Sequence, residues 1–226
     1  MRNLDEFPAL ALLGEIGIPT VRYELAVSED QAVAAATRIG YPVAIKLSAE
    51  KILHKTELGG VALGIANEAE VRAAYKRLVA KAATAGVVPG PGGGLRGVLV
   101  QEMVSGGSEF IIGGFRDPGF GPAIMFGLGG IYTELFKDTS FRLAPVDEAE
   151  AARMILETKA KALVAGFRGT APLDLAALSG ALARLSQRMA ASDEILEFDI
   201  NPFVALPAKD GRPARIIALD ALFKLS

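Results

Sequence analysis

Residues 195–203 read ILEFDINPF and residues 215–220 read RIIALD, with the dipeptide Asp210-Gly211 between them. Side chains alternate along a strand, so Leu196, Phe198 and Ile200 fall on one face and Glu197, Asp199 and Asn201 on the other. Asp-Gly is a strong hairpin turn, and a hairpin centred there sets Asn201 directly opposite Asp220, because both lie equally far from the turn. An amide oxygen facing a carboxylate suits a hard cation such as Mg²⁺, which keeps several waters and takes few protein ligands. The same alternation fits a solvated edge hairpin, and Pro202, Pro207 and Pro213 bear on its register.

Outward from this hairpin, strand-like runs at 97–104, 109–115 and 122–126 precede two helices. The first, over 147–165, opens on an Asp147/Glu150 capping box and stops near Gly166. The second, over 172–191, carries Leu175, Leu178, Leu182, Leu185 and Met189 at spacings of three and four. Further upstream, Ser28 and Gln31 cap a helix over 28–39, and Asn67 with Glu70 caps another whose face holds Val71, Tyr75, Leu78 and Ala82. Between them Val43-Ala44-Ile45 reads as a buried strand with Lys46 at its exit. PGPGGG at 89–94 continues neither helix nor strand and is read as the boundary between two lobes. The expected organisation is an N-terminal segment (1–20), a smaller lobe (21–94) and a larger lobe with the hairpin (95–226), in an α/β or α+β protein.

Composition removes several classes of function. A chain of 226 residues that is 51% hydrophobic has ample material for a core. Its 24 basic and 26 acidic residues show no run dense enough to follow a nucleic acid backbone, so no nucleic acid partner is expected. The absence of cysteine excludes disulfides, thiolate zinc sites and cysteine nucleophiles, and fits the cytoplasm. The N-terminal MRNLDEFPALALLGEIGIP has acidic residues where a signal peptide is basic, so no export signal is read. The longest uncharged stretch, Pro118–Thr133, is glycine-rich and shorter than the ~20 residues of a spanning helix, so no membrane partner is expected.

Other candidate residues are more ambiguous. Lys46 precedes a loop from which an ammonium reaches phosphate oxygens, although a snorkelling surface lysine fits equally. His54, in KILHKTELGGV, is the only histidine; Gly59 and Gly60 let the backbone nearby approach a phosphate or swing, although a satisfied structural histidine is the commoner reading of a solitary one. Glu102 shares a strand face with Val98 and Val100 and so needs a partner: a ribose hydroxyl, an amine, or an ordinary salt bridge. Glu109 opens the next strand. GLGG at 127–130 is a weak signal, and neither a P-loop nor a well-placed GxGxxG is present.

Taken in order, IKLSAEKILHKTELGGV, VQEMV, GSEFIIGGFRDPGFGPAIMFGLGGIYTEL and EFDINPF, closed by Leu219-Asp220, resemble the ATP-grasp subunit of ADP-forming acetyl-CoA synthetases over nearly the whole chain. The resemblance implies an ATP-grasp fold with ATP or ADP between two lobes, Mg²⁺, and the reversible reaction acyl-CoA + ADP + phosphate ⇌ acid + CoA + ATP. By motif it implies that Lys46 contacts the nucleotide phosphates, Glu102 sits at the adenine-binding hinge, Glu109 holds the ribose, and Asn201 and Asp220 bind Mg²⁺. It further implies that Asp199 orients an arriving phosphohistidine and that His54 receives the phosphoryl group before ADP does. Glu57 departs from the family's more usual aspartate. A CoA-binding fold and the first phosphohistidine have no place in the matched motifs, so the resemblance implies a large partner subunit and a hetero-oligomer. Two alternatives share the nucleotide chemistry: a carboxylate-amine ligase working through an acyl phosphate, and a nucleotide-sensing module of an acyltransferase complex.

Overall fold

The architecture was established from a computed structural model, which describes residues 2–49, 59–90, 93–130, 138–167 and 169–226. The described elements are, in order, β1 (Arg2–Leu4), α1 (Glu6–Glu15), β2 (Tyr23–Ala26), α2 (Glu29–Ile39), β3 (Val43–Ala49), β4 (Val61–Ile65), α3 (Glu68–Thr84), β5 (Val88–Pro89), β6 (Gly94–Glu102), β7 (Ser108–Asp117), β8 (Gly121–Leu128), β9 (Thr139–Leu143), α4 (Glu148–Glu157), α5 (Ala160–Val164), α6 (Leu175–Ala191), β10 (Ile195–Leu206), β11 (Arg215–Ala218) and β12 (Ala221–Leu225). None of these helices is long and apolar enough to cross a membrane.

Contacts divide the chain into a unit of residues 21–105 and a unit of residues 1–20 with 106–226. The division falls at 105/106 instead of within PGPGGG, because the strand that follows the glycines, β6, pairs antiparallel with both β2 and β3. In this unit the sheet runs β2-β6-β3-β4, with β5 on β6. Helices α2 and α3 start where the capping boxes predict: Ser28 Oγ accepts from the Gln31 N–H at 3.2 Å, and Asn67 Oδ1 accepts from the Glu70 N–H at 3.0 Å. One sheet face supplies Val43, Ile45, Leu47, Val98 and Val100 to a core shared with Ala35, Ile39 and Leu78. Strand β3 does not end at Lys46 as expected; it stays paired with β6 as far as Ala49.

The other unit has a sheet of order β1-β12-β10-β7-β8-β9, with β11 also on β10. Phe110, Ile112, Ile124, Phe126, Ile200 and Phe223 are buried on one of its faces, and α6 packs against β7 and β8. The Phe110–Phe126 and Phe198–Phe223 pairs stack with centroids 5.3 Å apart. A single helix over 147–165 is not formed. Thr158 turns to extended backbone, and its hydroxyl accepts from the Ala160 N–H, so α4 ends and α5 begins. Arg116 closes the far end of α6: Nε donates to Ile195 O at 2.9 Å and Nη2 to Met189 O and Ser192 O at 2.8 and 2.5 Å.

Candidate functional site

Strand β10 carries most of the polar residues singled out in the larger unit. From Glu197 to Leu206 it keeps one register with β12 (Ile200↔Ala221) and β11 (Phe203↔Ala218), so pairing resumes beyond Asp220 and runs to Leu225. The ladder shifts once between Ile195 and Glu197, and it is interrupted again around Asn201-Pro202, where proline has no N–H to donate. There the Asn201 N–H donates to Asp220 O at 3.3 Å and the Leu219 N–H to Pro202 O at 3.1 Å, which sets Asn201 opposite Asp220. On the other edge the pairing with β7 shifts between Ile200 and Phe203, a bulge of the kind that re-aims side chains beside functional sites.

Asp199 lies next to this bulge, opposite Gly113 of β7 and Leu222 of β12. It is half-buried, and among the described residues its Oδ1 has no hydrogen-bond partner. Burial raises its pKa above the ordinary aspartate value, and the neighbouring Glu197 carboxylate adds to the rise. A buried acceptor left open in this way is costly unless something arrives to donate to it.

Glu109 stands on the same open face, near the start of β7 and opposite Val204. The GLGG segment wraps it. The Gly129 N–H donates to Glu109 O at 2.8 Å, and a Cβ on Gly129 would lie 2.9 Å from the Glu109 and Phe110 backbone. Gly130 has φ +64°, and a Cβ there would come within 2.7 Å of Glu109 Oε2. Sequence reasoning read GLGG only as a weak signal. The useful clue was two glycines at a strand end, where a neighbouring strand opens on a carboxylate.

In the smaller unit Lys46 is the central residue of β3, half-buried between Val61 and Leu99 on the face opposite the core. Glu102 ends β6, and its carboxylate accepts from Arg22 Nε at 2.9 Å, while its N–H donates to Arg22 O at 2.9 Å. Glu102 thus has the salt bridge that was one of its alternatives, to an Arg22 that was not foreseen. His54 and Glu57 lie outside the described residues.

Among the described residues no three of His, Cys, Asp and Glu gather as a metal cluster. The Asn201/Asp220 pair nevertheless fits Mg²⁺, because two oxygen donors at a break in a ladder leave room for the waters that this ion retains.

A family model described as an ATP-grasp domain matches residues 1–225. The chain is 42% identical over 215 residues to the 4-hydroxybutyrate–CoA ligase (ADP-forming) of Nitrosopumilus maritimus, covering 95% of this chain and 30% of that protein. It is 40% identical over 204 residues to the beta subunit of acetate–CoA ligase (ADP-forming) I of Pyrococcus furiosus, covering 90% of this chain and 86% of that subunit. The solved structure of Ca. Korarchaeum cryptofilum acetyl-coenzyme A synthetase 1 with coenzyme A and Ca-AMPCP superposes with a TM-score of 0.88 at 40% identity, covering 100% of this chain and 94% of that one. A second structure of that synthetase, with coenzyme A and Mg-AMPPCP and its phosphohistidine segment pointing towards the nucleotide-binding site, gives a TM-score of 0.82 at 38% identity, covering 100% and 93%. The chain thus spans less than a third of one of these ligases and nearly the whole of a separate beta subunit. With a family model matching residues 1–225 and a separate beta subunit 40% identical over most of its own length, the chain belongs to the ATP-grasp family, in the group of the beta subunits of ADP-forming acetyl-CoA synthetases.

Proposed function

We propose that this chain is the nucleotide-handling part of an ADP-forming acyl-CoA ligase, transferring a phosphoryl group between phosphohistidine and ADP with Mg²⁺. The reading rests above all on β10, where Asp199, with an unsatisfied oxygen, stands two residues from the facing pair Asn201 and Asp220. The relatives support it: two have beta subunits of comparable length, and in others a single longer chain includes the matching region.

In the synthesis direction the P–N bond of a phosphohistidine breaks and a terminal oxygen of ADP forms the new P–O bond. The electron pair stays on the released imidazole nitrogen, and the other nitrogen keeps its N–H, so the product is a neutral imidazole. Asn201 and Asp220 would hold Mg²⁺, which when bound would supply positive charge against the phosphate oxygens. Lys46 supplies a point charge suited to phosphate oxygens, and Glu109 accepts from the ribose hydroxyls. Glu102, already bridged to Arg22, contributes at the adenine end as a fixed carboxylate. Asp199 accepts an N–H from the arriving imidazole, which satisfies its open oxygen and fixes which nitrogen faces the phosphate. His54 serves as the relay, a role suited to histidine as a side chain because an ordinary imidazole is a nucleophile in its neutral form.

A large CoA-binding partner completes the enzyme and supplies the first phosphohistidine; we place the assembly in the cytoplasm. The test is incubation of the purified chain and that partner with γ-labelled ATP, followed by acid and base treatment. Acid-labile, base-stable label on histidine supports the reading. Label absent from protein, with an amide product formed without CoA, would move the chain to the carboxylate-amine ligases.

A further inference from the structure

The open face of the larger sheet changes character along its strands. On one side of Asp199 it carries Glu109 and Asn201. On the other side, one residue pair along, the cross-strand row Phe115, Ala123, Leu143 begins, and Phe141 lies in the row of Asp199 itself. Phe115, Phe120, Phe141 and Leu143 are 38%, 76%, 49% and 56% exposed, and together they rim a hollow of about 240 Å³. Phe115 and Phe141 meet edge to face at 6.3 Å. Phe120 is held out deliberately: Asp117 Oδ1 accepts from the Gly119 and Phe120 N–H groups at 2.8 and 2.9 Å, which locks the hairpin tip. The charges at the rim are already engaged. Arg142 is bridged to Glu150 and Glu157, and Glu197 lies 3.8 Å from Lys224. A cluster of four large exposed apolar side chains ringed by satisfied charges marks a contact surface for an apolar, uncharged segment.

We infer that this patch is the landing surface for the partner segment that carries the phosphohistidine, an inference that rests on the function proposed above. A strand advances about 3.3 Å per residue, so the patch begins about 7 Å from Asp199. In that reading the nucleotide and Mg²⁺ occupy the Glu109 and Asn201 side, and a polypeptide bringing an imidazole to Asp199 reaches it over the opposite side. The side chains flanking its histidine are then neutral and apolar, and one of them fills the hollow beside Phe120.

The test uses the chain assembled with its CoA-binding partner. A Phe120→Ala/Leu143→Ala double variant should slow single-turnover phosphoryl transfer from saturating ATP to the partner histidine at least tenfold. Melting temperature, nucleotide affinity and assembly by size exclusion should stay as in the wild type. Phe120→Met, which keeps an apolar side chain of similar bulk, should restore the rate to within about twofold. Three results overturn the inference: transfer within twofold of wild type in the double variant, loss of assembly, which makes the patch a permanent interface, or loss of self-association by the chain alone, which makes its occupant a second copy. If the wild-type complex transfers no phosphoryl group, the proposed function itself fails and this inference with it.

Discussion

Asp199 couples folding to pH in a direction that its burial fixes. Its pKa is raised in the folded state, so just above the ordinary aspartate value the native chain holds a proton that the unfolded chain has lost. Stability contributed at this site therefore falls as pH rises through that window, and the penalty persists at neutral pH. Asp199→Asn should raise the melting temperature at pH 7 and remove this part of the pH dependence, while slowing phosphoryl transfer by about 100-fold or more. A melting temperature that drops at pH 7 would contradict the burial argument. Gly130→Ala tests the glycine cradle. The added Cβ would strain a left-handed backbone by about 1 kcal/mol and push on Glu109 Oε2, so nucleotide affinity should fall about tenfold in a calorimetric titration. An unchanged affinity would separate Glu109 from the nucleotide.

The break in the ladder between β10 and its partners stores little packing energy, since Asn201 is exposed and Asp220 only half-buried. Asn201→Ala and Asp220→Ala should each cost less than about 1 kcal/mol of stability and weaken Mg-nucleotide binding at least tenfold. A melting loss with no change in nucleotide affinity would remove the metal assignment. Arg116→Met should behave in the opposite way. It strands two carbonyls at the end of α6 and one at the start of β10, so a loss of about 2–3 kcal/mol is expected in chemical denaturation, with nucleotide affinity kept. These elements also show what sequence reveals. The caps at Ser28, Asn67 and Asp147 were legible because the interaction spans three residues, and Asn201 opposite Asp220 was legible because one turn dipeptide sets the whole register. The length of β3 was not, since a half-buried lysine inside a strand looks like a strand end until its neighbours are known. Nor was the α4–α5 break, where the Lys159 N–H donates to Asp138, a residue 21 positions away.

At the scale of the molecule, the purified 226-residue chain should bind Mg-ATP but release no acyl-CoA from acid, CoA and ATP. Sustained turnover by the chain alone would contradict the need for a partner. The lobe boundary was legible only to within about ten residues, because PGPGGG is loud in sequence whereas the pairing of β6 with β2 and β3 is silent there. That boundary also has a temporal consequence. The smaller unit is complete once residue 105 has been made, and its two ends are clipped together by Arg22 and Glu102. The larger unit contains the first strand and the last: Arg2 pairs with Leu225. During synthesis at about 5–20 residues per second, β1 waits on the order of ten to forty seconds for β12. The inner lobe thus forms on the ribosome first, and the sheet that bears Asp199 closes only when the last strand emerges.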